Sequence, residues 1–250
     1  MSKPVFVSVC MAMYNGSAYV EHQLRSILAE LRPGDEVVVV DDASTDDSVE
    51  IVEGIGDDRV RVIRQPVNRG YVRSFEAALL AARGDVILLA DQDDEWVPGR
   101  RSILVGAAGA AGVAASNLEL LGTGEPLRSP LSGRPWRLRA ATSGQRLRNE
   151  LRILAGAAPY FGCAMAVRRD MLGVITPFPA FLTESHDLWI ATVANATGHM
   201  THVETATVRR RVHDANASSP RPRGLRRALG SRWMLVRAWR EARRRPRRPA

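Results

Sequence analysis

An α/β fold with a mostly parallel central sheet is what the sequence predicts, and three observations predict it. Short β-branched runs at 5–13, 36–40, 60–63 and 86–90 alternate with segments whose apolar residues recur at helical spacing. The first, second and fourth runs are apolar at almost every position, as strands covered on both faces are. Each run also ends in turn chemistry or carboxylates: Tyr14-Asn15-Gly16, Asp41-Asp42, Asn68-Arg69-Gly70 and Asp91-Gln92-Asp93-Asp94. Strands alternating with helices imply parallel pairing through right-handed crossovers. Open sheets of this kind bind ligands outside the carboxyl ends of their strands.

Taken in order, the strand at 5–13 is broken by Tyr14-Asn15-Gly16-Ser17 before an amphipathic helix over 18–31, which Pro33-Gly34 ends. A strand at 36–40 leads through Asp41–Asp47 into a helix reaching Glu53. The strand at 60–63 is followed by a helix over 72–82 with Gly84 as its C-cap, and then by the strand at 86–90. The second half is less regular. Residues 101–112 are Ala/Gly-rich and predict a helix, 114–121 a strand, and the Gly, Pro and Ser content of 122–145 a loop or lid. A helix over 144–154, a strand at 161–167, a short helix at 169–174, a helix over 187–197 and a strand at 202–211 complete the body, without internal repeats.

Composition narrows the function classes. The 250 residues carry a net charge of +8 and are 45% hydrophobic, enough for one large domain with a real core. The charge is unevenly placed. Residues 221–250 hold twelve Arg and one Glu, so they account for +11 and leave residues 1–220 at −3. A basic tail on a mildly acidic body argues against a nucleic-acid-binding face. Cys10 and Cys163 lack metal-site spacing and suggest neither zinc nor a disulfide framework, which fits a reducing cytoplasm. No apolar run reaches the length of a bilayer span, and the first run reads as a strand rather than a leader peptide.

The acidic strand end carries the chemistry. Asp91, Asp93 and Asp94 place three carboxylates within four residues, a crowding that a cation or strong donors must offset. Magnesium is usually held by one or two carboxylates together with substrate phosphates, so a divalent metal (Mg or Mn) is the expected cofactor. The structural alternative is a solvated acidic loop in which Asp94 caps the next helix. Near the other strand ends, Tyr14 can stack on a base and Asp42 can accept from a base N–H, although Asp42 also suits a turn. Arg69 and Arg73 lie where phosphates are within reach.

These residues carry a resemblance. The series Met11-Ala-Met-Tyr-Asn-Gly16, Val38-Val-Val-Asp-Asp-Ala-Ser-Thr-Asp46, Asn68-Arg-Gly70 and Leu89-Ala-Asp-Gln-Asp-Asp-Glu-Trp96 resembles family-2 glycosyltransferases of GT-A fold, and within them the bacterial rhamnosyltransferase-like group. Phe161-Gly-Cys-Ala-Met-Ala166, Ser185-His-Asp-Leu-Trp189 and Arg211-Val-His-Asp-Ala-Asn216 extend the likeness to residues 5–216. The resemblance implies a donor-binding half at 1–115 and an acceptor and base half at 116–216 of the same domain; charge and helical spacing make 217–250 a basic amphipathic tail.

The resemblance also assigns residues. Ala12, Tyr14 and Asp42 would meet the nucleotide base, with Asn15, Asn68, Arg69, Arg73 and Gln92 completing the nucleotide-sugar contacts. Asp91 and Asp93 would serve ribose, diphosphate and metal, with His213 as a further metal ligand. Gly162, Cys163 and Trp189 would lie on the acceptor side, with the core as the structural alternative for Trp189, and Asp187 would be the general base, where its structural alternative is a helix N-cap. Two departures stand out: Ala12 where many relatives have Thr, and Arg210 where relatives often have Tyr. The Gln-x-x-Arg-Trp signature of processive synthases is absent, which implies single-sugar transfer.

The implied activity is an inverting, metal-dependent transfer from a nucleoside diphosphate sugar, with dTDP-rhamnose the first candidate donor, to a hydroxyl of a glycan, lipid-linked or small-molecule acceptor. Two alternatives stay open: a sugar-phosphate nucleotidyltransferase, and a non-catalytic nucleotide or nucleic-acid binder. In the tail, Leu225, Leu229, Trp233 and Val236 recur at helical spacing among arginines, the pattern of a helix that lies on an anionic membrane surface. An RNA-binding arm, a packed C-terminal helix with a disordered end and a partner-docking helix are the competing explanations.

Overall fold

The computed structural model describes residues 4–130, 132–212 and 225–245. β1 (Val7–Met13), α1 (Val20–Glu30), β2 (Glu36–Asp41), α2 (Ser48–Gly54), β3 (Val60–Arg64), α3 (Tyr71–Ala81) and β4 (Val86–Ala90) follow the expected alternation within a residue or two at most ends. Their strands pair in parallel in the order β3-β2-β1-β4. The chain thus winds outward from β1 to β3 and then returns to the other side of β1. That reversal opens a crevice between the carboxyl ends of β1 and β4.

The remaining elements are β5 (Glu95–Trp96), α4 (Arg100–Ala111), β6 (Val113–Leu120), α5 (Arg146–Ala155), β7 (Met165–Arg168), α6 (Leu172–Ile175), α7 (His186–Thr197), β8 (Met200–Arg210) and α8 (Leu225–Arg244). They extend the sheet to eight strands, β3-β2-β1-β4-β7-β6-β8-β5. Six strands run one way, while β7 and β5 run against their neighbours. The sheet is continuous through β6, so the expected boundary at 115/116 falls inside a strand.

Period-2 alternation sorts the strands' side chains onto two cores. Val9, Met11, Val37, Val39 and Leu88 pack under α1, α2 and α4. Cys10, Val38, Val40, Ile87 and Leu89 face α3, α5, α6, α7 and α8. A buried ion pair ties α4 to the amino end of β2: Arg101 donates from Nε to Asp35 Oδ2 at 2.7 Å and from a terminal nitrogen to Oδ1 at 2.9 Å.

Three expectations change. Residues 161–164 are not strand; Gly162–Ala164 form a 3₁₀ turn, and only Met165–Arg168 join the sheet. The carbonyls of Cys163 and Ala164 accept from Arg100 and Ser116 side chains, which replaces the ladder an apolar run otherwise requires. The short helix at 169–174 divides into a 3₁₀ turn and α6.

In the tail the helix forms, but a different stripe faces inward. Met234, Leu235, Ala238 and Ala242 are buried against the core, whereas Leu229 and Trp233 are 62% and 58% exposed and Val236 is half-buried. Two stripes at helical spacing exist on this helix, and contact with α5 and α7 selects the less apolar one. Arg245 fastens the end by donating to the carbonyls of Val174, Ile175 and Pro177. The side chain of Leu225 and all of His213 lie outside the described residues.

Candidate functional site

The carboxyl ends of β1, β2 and β4 meet the start of α3, the 161–163 turn, the start of α7 and the end of β8 around a cavity of about 590 Å³. Side chains stitch the strand ends together. Gln92 accepts from the Tyr14 amide at 2.9 Å and donates to the Tyr14 carbonyl at 3.1 Å. A Cβ at Gly16 would lie 2.5 Å from Gln92 Oε1, so a larger residue there would push Gln92 off its Tyr14 brace. Asn15, at φ 46°, accepts from the Thr45 amide at 2.8 Å and joins the loops after β1 and β2. Ala12 and Tyr14 border the cavity beside these braces, and the Tyr14 ring is half exposed.

Asp42 is buried, and its two oxygens accept from the Arg69 and Gly70 amides at 2.8 Å each. These bonds set the loop before α3, and each oxygen keeps a lone pair for a ligand donor. Asn68 lines the cavity, but neither Arg69 nor Arg73 does. Arg69 contributes its amide to the Asp42 brace. Arg73 instead spans Glu76 and the carbonyls of Phe178, Pro179 and Ala180, because that carbonyl-rich turn offers its guanidinium more acceptors than the cavity does.

The acidic loop has an internal division of labour. Asp91 and Asp93 line the cavity, whereas Asp94 is buried beneath it and accepts from the Arg211 amide at 3.0 Å. Asp94 therefore holds the end of β8 and is not the helix cap of its structural alternative, since Gly99 occupies the cap position of α4. Arg211 Nε donates in turn to the Asp93 carbonyl at 3.1 Å. Arg100, fully buried, ties Leu89, Cys163 and Thr207 together behind the loop.

Burial and then the charges of Asp94 and Asp93 push the Asp91 carboxyl well up from its usual range, and burial and Asp93 do the same to Asp94. Ligand atoms of Asp91, Asp94 and Cys163 lie within 4.8 Å of one another, and Asp94 Oδ2 is buried with no hydrogen-bond partner. An excess of buried negative charge with an orphaned oxygen fits a divalent cation. For a metal that also meets a ligand in the cavity, the hard oxygens of Asp91 and Asp93 are the accessible donors.

Asp187 opens α7. Ser185 takes the N-cap position at φ 60°, in the left-handed region, and its amide donates to Tyr71 Oη at 2.9 Å. Such backbone strain clusters at functional sites. Asp187 is thus not the helix cap; it lines the cavity, with Oδ1 accepting from the Leu188 amide at 2.8 Å. Burial raises its carboxyl to about 6, opposed by backbone donors and by the charge of Arg210.

Gly162 and Cys163 line the same wall. Trp189 does not: it is fully buried, donates to the Ile175 carbonyl at 3.0 Å and lies 4.7 Å under the Arg245 guanidinium. Two residues beyond Asp187, it projects from the opposite face of the helix, into the core.

The cavity also contains residues that motif reading passed over as ligands: Tyr19, Tyr71, Phe75, His186 and Arg210. Arg210 had a signal, since it ends β8 as the acidic residues end β2 and β4. Its guanidinium sits 5.2 Å over the Phe161 ring, and its charge lowers the carboxyls of Asp91, Asp94 and Asp187.

Comparison with known proteins agrees with this architecture. A profile of Glycosyl transferase family 2 matches residues 8–174. The succinoglycan biosynthesis protein ExoO of Rhizobium meliloti is 38% identical over 117 residues, covering 46% of this chain and 34% of ExoO. The UDP-Glc:alpha-D-GlcNAc-diphosphoundecaprenol beta-1,3-glucosyltransferase WfaP of Escherichia coli is 33% identical over 91 residues, 36% of each protein. The chain spans only about a third of the length of these curated relatives.

In three dimensions, S. aureus TarS 1-349 in complex with UDP-GlcNAc superposes with a TM-score of 0.64 at 21% identity, over 84% of this chain and 60% of the other. Glucosyl-3-phosphoglycerate synthase from Mycobacterium tuberculosis, in complex with Mn²⁺, UDP and glucosyl-3-phosphoglycerate, gives 0.63 at 20% identity over 97% and 81%. The family profile and the structural superpositions agree: this chain has the GT-A fold and belongs to glycosyl transferase family 2.

Proposed function

We propose that the chain catalyses inverting transfer of a single sugar from a nucleoside diphosphate sugar to a hydroxyl of a glycan, lipid-linked or small-molecule acceptor. One observation carries this reading: Asp42, Asp91, Asp93 and Asp187, supplied by three separate segments, line one cavity at the sheet's switch point. The half-exposed Tyr14 ring offers a stacking face for the base, and Asp42 retains acceptor capacity for a base N–H.

A divalent cation, Mg²⁺ or Mn²⁺, held by Asp91 and Asp93 would act as a Lewis acid toward the leaving diphosphate. Arg210 adds a fixed positive charge on the same side. Asp187 takes the proton from the acceptor hydroxyl as that oxygen attacks the face of the sugar opposite the diphosphate. Dry surroundings raise the basicity of Asp187 while leaving it ionised at neutral pH.

The Mn²⁺–UDP complex of the mycobacterial synthase supports metal use, and the lipid-linked acceptor in the name of WfaP supports an acceptor at a membrane. Among the described residues no helix is long and apolar enough to cross a membrane. The exposed Leu229 and Trp233, flanked by arginines of α8, suit an anionic lipid surface instead. dTDP-rhamnose remains the first candidate donor. The test is turnover of a panel of UDP-, GDP- and dTDP-sugars with Mg²⁺ or Mn²⁺, with and without EDTA. Metal-dependent release of nucleoside diphosphate is expected; no release from any donor would refute the proposal.

A further inference from the structure

His186 is 4% exposed, lines the cavity and has hydrogen-bond partners at neither ring nitrogen among the described residues. Its ring is held rigidly: it stacks on Phe75 with centroids 4.0 Å apart and planes at 17°, and meets Tyr71 edge-on at 5.7 Å. A flat hydrophobic ring would satisfy those two contacts without leaving a buried donor and a buried acceptor unpaired, an arrangement that costs stability. Burial also holds the imidazole neutral, with its ionisation pulled down to about 3. A neutral imidazole presents one N–H and one lone pair, which is the complement of a hydroxyl.

Gly162 reinforces the point. Its backbone is outside the left-handed region, so no conformational demand calls for glycine. A Cβ there would nevertheless lie 2.6 Å from His186 Nε2, so glycine lets the 162–164 turn pack against that nitrogen, and an alanine would displace the ring.

Position indicates which hydroxyl. Tyr71 and Phe75 belong to α3, whose start is set by Asp42 on the nucleotide side, while Asp187 follows His186 in the chain. The ring therefore bridges the nucleotide rim and the base. A transferred sugar has to occupy that interval, because its anomeric carbon lies between the diphosphate and the attacking oxygen. We infer that His186 reads a hydroxyl of the donor's sugar and so determines which sugar is transferred. This inference rests on the glycosyltransferase reading of the site.

The test measures dissociation constants of wild-type, His186→Phe, His186→Gln and Gly162→Ala proteins in the presence of Mn²⁺. The probes are UDP-glucose, UDP-N-acetylglucosamine, GDP-mannose and dTDP-rhamnose, each paired with its own nucleoside diphosphate. His186→Phe keeps the stacking and removes both orphan nitrogens, so its melting temperature should match or exceed wild type. Its affinity for the bare nucleoside diphosphate should stay within about twofold, while affinity for the preferred nucleotide sugar falls about tenfold. Gly162→Ala should lose the same discrimination, and His186→Gln should recover part of it.

An unchanged ratio between nucleotide sugar and nucleoside diphosphate in His186→Phe would overturn the inference. So would parallel loss of both affinities, which marks a structural residue, or a change confined to the acceptor's KM. Failure of the wild-type protein to bind any of the nucleotide sugars would instead refute the glycosyltransferase reading beneath it.

Discussion

The pH dependence of transfer offers a direct test of Asp187, because the base must be ionised to accept the acceptor's proton. Burial lifts its carboxyl from 3.8 to about 6, so the proton is held longer than on a solvated aspartate and activity is lost as pH falls through that value. At pH 7.5 nearly all of the protein carries the ionised base; at pH 6 about half does, and at pH 5 about one-tenth. The acid limb of kcat/KM, which reports the free enzyme, should therefore bend near pH 6 and drop about tenfold by pH 5.

Arg210 opposes the shift, so Arg210→Gln should move the bend toward alkaline pH. That variant also loses donor affinity, and the position of the limb is the quantity to read, not the rate. Nucleotide binding measured over the same pH range separates the contribution of Asp91, whose carboxyl is raised as well. A limb near pH 4, or one that survives unchanged in the residual activity of Asp187→Asn, would refute the assignment.

Asp93→Asn should abolish metal-dependent nucleotide binding in titration calorimetry, whereas Asp187→Asn leaves it nearly intact and removes transfer; equal loss of affinity in both would contradict the division of roles. Glu150, buried between α5 and α7 with one oxygen on Thr192 and the other unpartnered, has its carboxyl raised by burial to about 7. A raised carboxyl stabilises the fold below its unfolded value and loses that contribution as pH rises, so in urea denaturation the Glu150 contribution, read as the difference between wild type and Glu150→Gln, should fall by about 3 kcal/mol between pH 4.5 and 7. Deleting residues 221–250 strips Met234, Leu235, Ala238 and Ala242 from the core and should abolish cooperative thermal unfolding. Replacing the exposed Leu229 and Trp233 by serine should leave the melting temperature unchanged while weakening a salt-sensitive binding to anionic vesicles.

Much of the fold and part of the site are set by local order. Apolar runs of strand length, helical spacing between them and polar turns after them decide β1 to β4 and α1 to α3, because each signal is complete within about fifteen residues. The same order places Tyr14, Asp42 and Asp91 at strand ends, and strand ends in a parallel sheet share one rim. Tertiary structure decides what depends on a distant partner. Asp93 and Asp94 are identical neighbours in sequence, yet one lines the cavity while the other is buried against the Arg211 amide 117 residues away. Arg73 has the same charge as Arg210, but only Arg210 meets the cavity, because the 178–180 carbonyls engage Arg73 first. On α8 two stripes obey the same helical period, and the surfaces of α5 and α7 choose the one carrying Ala238 and Ala242 over the one carrying Trp233. Periodicity specifies which residues share a face, but only the packing partner specifies which face is covered.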